Sequence, residues 1–325
     1  MSDLKRKYAL PTQNDLRPVD PVLTDLSISY KNPEFIWDLV APVVPTDEKS
    51  GTFFKWTRDY WFRSMGEAQG SKRAPGGNYT RVAYGVSTDT YETDEYGYEK
   101  PTDDPTKASS QAPENLDNQD VAFLTNLLEM DLEVDVAAAF FTSGVWGTDN
   151  TLSGTSQWSD YANSDPIGDF KTARSTVRKA TGQKPGRAIM GVETWNDLAE
   201  HPLILDKYKH TQSGIMTTAL VAAALEVDEI VVGETVKNTA KEGLSYVGAD
   251  VWGDNCLLIP AVNAPALETP AAGYTFMWDE VGNVPWAIQN YRDEEIRSDV
   301  TRILTHKTHK VTSSVSGYMF IDTSA

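Results

Sequence analysis

His306 and His309 are the only imidazoles close enough in sequence to suggest a shared metal ion, and their HxxH spacing falls in a β-prone run. On a strand that spacing sends the two rings to opposite faces, so the pair reads as two solvated side chains and not as a metal pair. His201 stands before Pro202 in a loop and His210 ends a polar stretch, and both read as structural or exposed. With four His, one Cys and no clustered ligands, a zinc site is not expected. Carboxylates abound, but no pair is set apart by its spacing for acid–base work, and Glu294-Glu295 reads as a solvated turn. The chain holds no GxxxxGK[ST] phosphate loop, no GxGxxG after a strand, no HExxH and no GxSxG. Cys256 lies in the apolar run Cys256-Leu257-Leu258-Ile259, where an inert buried thiol is expected and an intrachain disulfide is impossible. Asn78-Tyr79-Thr80 matches a glycosylation sequon, which carries no weight in a chain without an N-terminal secretory pattern. The expected numbers of catalytic, cofactor-binding and metal-ligating residues are therefore all none.

Composition narrows the classes further. The 325 residues could hold two domains, and 40% hydrophobic content is enough for a sizeable core. A formal net charge of −18 repels nucleic acid and anionic membranes on average, which excludes a sequence-specific DNA binder. It is compatible with a wall to which DNA must not stick. No apolar signal region and no membrane-spanning run is read, so synthesis inside the cell is expected. Nine Trp and fourteen Tyr suit large contact areas.

The elements that would position these residues are dominated by one stretch, Asn115 to Phe141. Asn115 could cap a helix, Asp117 and Asp120 suit its first turn, and no Pro or Gly follows until Gly144. Such a helix would span roughly 40 Å. Val121, Leu124, Leu128, Leu132 and Val136 form one stripe at steps of three and four. Phe123, Leu127, Met130, Val134, Ala138 and Phe141 form a second, with Asp131 and Asp135 between them and Asn126, Glu129 and Glu133 on the other side. Two stripes predict a strut gripped from two directions, with both Leu128 and Met130 buried. Four central carboxylates exclude a transmembrane span.

Before the strut, Met1 to Asp25 is polar and Pro-containing, with a basic cluster at Lys5, Arg6 and Lys7, and reads as an arm ordered only by neighbours. A short helix is predicted over Pro33 to Val40. The aromatic run Gly51 to Phe62 and the alternating run Tyr79 to Tyr98 predict a long hairpin, its tip within Met65 to Asn78. Such a hairpin is marginal alone and needs something to lie on. Lys100 to Pro113 reads as a linker. After the strut, a helix fits Asp165 to Thr181, closed by Gly182. Short alternating strands and helices then run from Pro185 to about Met277, followed by β-like runs at Ala287 to Tyr291, Asp299 to Thr312 and Gly317 to Ile321. Arm and hairpin are elements that need partner chains, which suggests an assembly subunit more than an enzyme.

With these pieces in order, the chain resembles the major capsid proteins of tailed bacteriophages, which have the Hong Kong 97-type capsid fold. The resemblance is carried by Phe35-Ile36-Trp37-Asp38-Leu39-Val40-Ala41-Pro42-Val43-Val44-Pro45, by Lys72-Arg73-Ala74-Pro75-Gly76 and by Val86-Ser87-Thr88-Asp89-Thr90-Tyr91. Phe140-Phe141-Thr142-Ser143-Gly144-Val145-Trp146, Val232 to Ala240, Thr269 to Phe276 and Arg292 to Asp299 add to it, and it covers essentially the whole chain.

The resemblance implies an α+β fold: an N-terminal arm at 1–45 and an extended β-hairpin loop at 46–100, then a peripheral domain at 101–182 whose spine helix is 115–141. An axial α/β domain would occupy 183–284, and 285–325 would return as strands of the peripheral domain. It implies a structural shell protein with no catalysis and no cofactor. Implied partners are copies of itself in pentamers and hexamers, a portal protein, a scaffolding protein and a cement or decoration protein. Packaged double-stranded DNA would be enclosed without sequence-specific contact, and no membrane would be involved. Its place would be the virion, after synthesis and assembly in the bacterial host cytoplasm. The arm reads as too short to hold a fused scaffold, and none is expected. Some relatives cross-link a loop lysine to a neighbour's asparagine; Lys72 is the lysine at this loop tip, and the residues favour a solvated side chain. An encapsulin-type compartment shell is the alternative with the same fold. A monomeric binding module or hydrolase is the alternative of another class.

Overall fold

The computed structural model describes residues 35–56, 75–79, 81, 85–109, 113–208, 216–265, 271–279 and 286–324. The expected arm before Phe35, the loop residues around Lys72, and His210 lie outside the described residues.

In chain order the helices are α1 (Trp37–Val40), α2 (Asp104–Ser109), α3 (Pro113–Phe140), α4 (Pro166–Thr181), α5 (Val192–Glu200), α6 (Pro202–Tyr208) and α7 (Thr218–Leu225). The strands are β1 (Val43–Thr46), β2 (Ser50–Trp56), β3 (Val86–Glu92), β4 (Asp94–Asp103), β5 (Asp149–Thr151), β6 (Arg187–Gly191) and β7 (Glu229–Gly233). They continue as β8 (Val236–Asn238), β9 (Gly248–Asp250), β10 (Cys256–Ile259), β11 (Gly273–Trp278), β12 (Ala287–Asp293), β13 (Ser298–Val311) and β14 (Tyr318–Ile321).

The spine helix α3 begins two residues before the expected cap. Pro113 opens it, where a missing N–H costs nothing, and Asn115 is inside the helix. The first stripe is core as expected: Val121, Leu124, Leu128, Leu132 and Val136 are all buried. The second is not. Phe123 is 53% exposed, Ala138 is exposed, and Leu127, Met130 and Val134 are only half-buried. The helix instead turns its supposed polar side inward, because Thr125, Glu129 and Glu133 are buried. Apolarity alone misplaces the face, since Glu133 has partners supplied from far away in sequence.

Two sheets flank this helix. The first has the order β1-β11-β13-β12, with β4 also paired to β13 from Ser298↔Asp103 to Lys307↔Asp94. The second has the order β5-β14-β10-β6-β7. The expected linker from Lys100 is in fact the end of β4 followed by α2. Strand pairing also crosses the expected boundary at 183–284. Gly273–Trp278, placed in that stretch by its texture, pairs with β1 and β13. Tyr318–Ile321, placed with the return strands, pairs with β10 and β5. Local texture marks a strand but not its partner, and the chain passes between the sheets more often than the texture suggests.

The expected helix after the strut has the expected ends. Asp165 caps α4 by accepting from Gly168 N, and Gly182 closes it at φ 75°, a left-handed conformation that favours glycine. The expected hairpin is present at its base, where β2 pairs with β3 from Ser50↔Glu92 to Trp56↔Val86. Buried Thr93 joins it to β4 and donates its N–H and hydroxyl to Lys49 O. The hairpin rests on the first sheet through rings: Tyr91 stacks on Phe276 at 4.6 Å and Phe53 at 5.4 Å.

Candidate functional site: the carboxylates of the spine helix

Glu133 is fully buried, and three separate stretches of chain aim donors at it. Oε2 accepts from Ile36 N at 3.0 Å and from Trp37 N at 2.8 Å. Oε1 accepts from Trp252 Nε1 at 2.6 Å and from the Thr235 hydroxyl at 3.1 Å. Burial pushes its pKa above the usual carboxylate range, while the donors from Trp252, Trp37, Thr235 and Ile36 pull it back. Each of these groups donates, so the arrangement suits an acceptor-only carboxylate.

The other helix carboxylates do related work. Buried Asp120 accepts from the Thr102 hydroxyl at 2.6 Å and pairs with Lys100, both on β4. Asp131 accepts from the Tyr98 hydroxyl. Asp135 bridges to Lys307 Nζ on β13 at 2.6 Å. The strut is thus bolted to the first sheet by polar contacts and to the rest of the core by its apolar stripe. Neither Glu129 nor Glu133 can line an inward, DNA-facing wall, because both are buried within the subunit.

A buried guanidinium complements Glu133. Arg187, at the start of β6, donates to Leu39 O, Val262 O and Asn263 Oδ1 and pairs with Glu229. No feature of the local sequence marks Arg187 as buried; only its position next to the apolar strand Ala188-Ile189-Met190 hints at it.

The residues that could have done chemistry are placed otherwise. His306 and His309 point to opposite faces of β13, as their spacing requires, but the solvated reading fails. His306 is 5% exposed with its ring 4.7 Å from that of Trp278, and half-buried His309 Nδ1 is 2.9 Å from the Thr275 hydroxyl. Burial, and then the charge of Lys307, push the His309 pKa down to about 4. His201 is fully buried beside Ser164, Nε2 to Oγ 3.0 Å. Leu203 N donates to its Nδ1, so Nε2 carries the proton and Ser164 accepts it, while the Ser164 hydroxyl donates to Asp160 O. A serine nucleophile needs the opposite polarity, so this pair is a helix junction and not a dyad. Cys256 is fully buried and burial pushes its thiol pKa up, leaving it unreactive as expected. Glu294 and Glu295 form an exposed turn. Among the described residues no group of three or more His, Cys, Asp or Glu could hold a metal ion, and no helix is long and apolar enough to cross a membrane.

What remains is a scaffold whose polar groups fasten one element to another. A family model described as phage major capsid protein E matches residues 144–285. The major capsid protein of Burkholderia phage BcepMu is 30% identical over 290 residues, covering 87% of this chain and 91% of that protein. The chain belongs to the phage major capsid proteins. Its family is one of structural shell proteins of tailed phages, not of enzymes, and its place is the virion. Among solved structures, a phage-related protein from Bordetella bronchiseptica RB50 superposes with a TM-score of 0.74 at 22% identity, covering 94% of this chain and 98% of that one. The mature capsid subunit of bacteriophage PhiM1 superposes with a TM-score of 0.56 at 12% identity, covering 90% and 88%. These likenesses give this capsid protein the Hong Kong 97-type α+β fold. The relationship in sequence to a phage protein is what separates it from a compartment shell of the same fold.

Proposed function

We propose that this capsid protein self-assembles into the pentamers and hexamers of an icosahedral shell enclosing a double-stranded DNA genome. The observation that carries this is the β2–β3 hairpin. Among the described residues its strands pair only with each other, and Phe54 on its free side is 68% exposed. One face of the hairpin lies on the first sheet, and the exposed aromatic on the other calls for further surface, which a neighbouring copy supplies. The division into arm (1–45), loop (46–100), peripheral domain (101–182 with 285–325) and axial domain (183–284) belongs to the same proposal, with β11 and β14 assigned by their pairing. A portal protein, a scaffolding protein and a cement protein are the expected partners, and assembly takes place in the host cytoplasm.

The chain's net charge of −18 supports a shell that encloses DNA without holding it by counterion release, and no sequence is read. The hairpin supplies the test. Phe54→Asp should leave a folded subunit, judged by an unchanged thermal midpoint, that forms closed particles at less than a tenth of the normal yield in electron micrographs. Particles at normal yield would remove the hairpin from the assembly reading.

A further inference from the structure

We propose that Glu133 and Arg187 form a two-ended clamp that fixes the segment Phe35–Ala41 against the folded subunit. This goes beyond shell formation and does not depend on it. Phe35, Ile36, Trp37, Val40 and Ala41 are all buried, yet the helix among them, α1, is a single turn of four residues. A helix that short has no stability of its own in water, so its place must be held from outside.

The two ends are held by opposite charges from different elements. At the start, the amides of Ile36 and Trp37 are orphan donors, buried with the residues that carry them, and one oxygen of Glu133 on the spine helix accepts both. At the end, the carbonyl of Leu39 accepts from Arg187 on β6. One grip thus comes from the strut and the other from the second sheet. Past the clamp the chain enters β1, which pairs in parallel with β11 of the first sheet. The segment is pinned between all three frameworks.

The division of Glu133 oxygens makes the clamp testable with one atom changed. Oε1 serves Trp252 and Thr235, whereas Oε2 serves Trp37 and most closely Ile36. A glutamine has one oxygen and one NH2, so Glu133→Gln can satisfy one set and must turn donors against donors at the other.

The measurement is amide hydrogen exchange on the purified full chain, comparing the peptide covering 35–41 with one covering β10. In Glu133→Gln, and separately in Arg187→Lys, which keeps the charge but loses the fork, exchange over 35–41 should rise at least tenfold while β10 stays within twofold. The double variant should exchange little faster than the faster single variant, because both ends hold one rigid turn. Equal acceleration of both peptides would make these residues general core supports and overturn the clamp, and so would unchanged exchange over 35–41. If Glu133→Gln does not fold, Arg187→Lys alone decides between the same outcomes.

Discussion

Lys307 and Asp135 close a 2.6 Å bridge between β13 and the spine helix, and they are buried unequally: the lysine side chain is 1% exposed and the aspartate 44%. The ammonium also lies 4.8 Å from the centre of the Tyr96 ring. Removing a partner from such a pair costs more than replacing the buried charge with an apolar chain of similar shape. Asp135→Ala should therefore destabilise the subunit by roughly 1–3 kcal/mol, discounted for the solvent around the aspartate, whereas Lys307→Met should stay within about 1 kcal/mol. Denaturant midpoints of the two variants check the asymmetry; equal losses would show that the lysine is valued for its charge.

The spine helix offers a second contrast. Leu128 is fully buried and Met130 only half-buried, although both belong to stripes that look alike in sequence. Leu128→Asp places an unpaired charge in the core and should cost several kcal/mol, enough to lose soluble protein. Met130→Gln should cost less than about 1 kcal/mol. Soluble expression and thermal midpoints measure this, and similar losses at both positions would restore the two-sided strut.

That contrast shows how far the sequence can be read. The first stripe was legible because periodic leucines and valines have no alternative to burial. The element boundaries around Asp165 and Gly182 were legible because capping is local chemistry. The burial of Glu133 was not, since it depends on Ile36, Trp37, Thr235 and Trp252, none of which is near it in the chain. Arg187 and Lys307 were missed for the same reason. The partner strands of β11 and β14 were missed because a strand's own residues do not name its neighbour.

Acid should weaken the fold through its buried histidines, before Asp89, Glu99 and Asp299 titrate. Burial lowers the pKa of His309 from 6.5 to about 4, and burial also lowers that of His201. The unfolded chain takes up these protons near pH 6.5 but the folded chain only at lower pH, so stability is full above 6.5 and falls as the pH drops toward 4. The loss for His309 at pH 4.5 should be on the order of 2 kcal/mol. Asp89, Glu99 and Asp299 are held below their usual values by hydrogen bonds from Lys55, Arg302 and Arg292 respectively, so they keep their contribution through this window and lose it only at lower pH. Urea midpoints between pH 7.5 and 4.5 should fall in the wild type and fall less in His309→Gln; parallel curves would assign the acid sensitivity elsewhere.

The hairpin is held to the body by the rings of Tyr91 and Phe53 on Phe276. Tyr91→Ala should release it at a cost of about 1 kcal/mol beyond the lost area. Hydrogen exchange in β2 and β3 should quicken while the spine helix is unchanged. If β2 and β3 keep their protection, the hairpin is held by contacts other than this stack.

The most direct measurement is cryo-electron microscopy of particles from cells expressing this chain with its genomic neighbours. The expected result is a closed icosahedral shell in which copies of the chain surround five-fold and six-fold axes, with the β2–β3 hairpin of each copy lying on an adjacent copy and Phe54 covered. A stable monomer that forms no particles, or a shell in which the hairpin faces solvent on both sides, would contradict it.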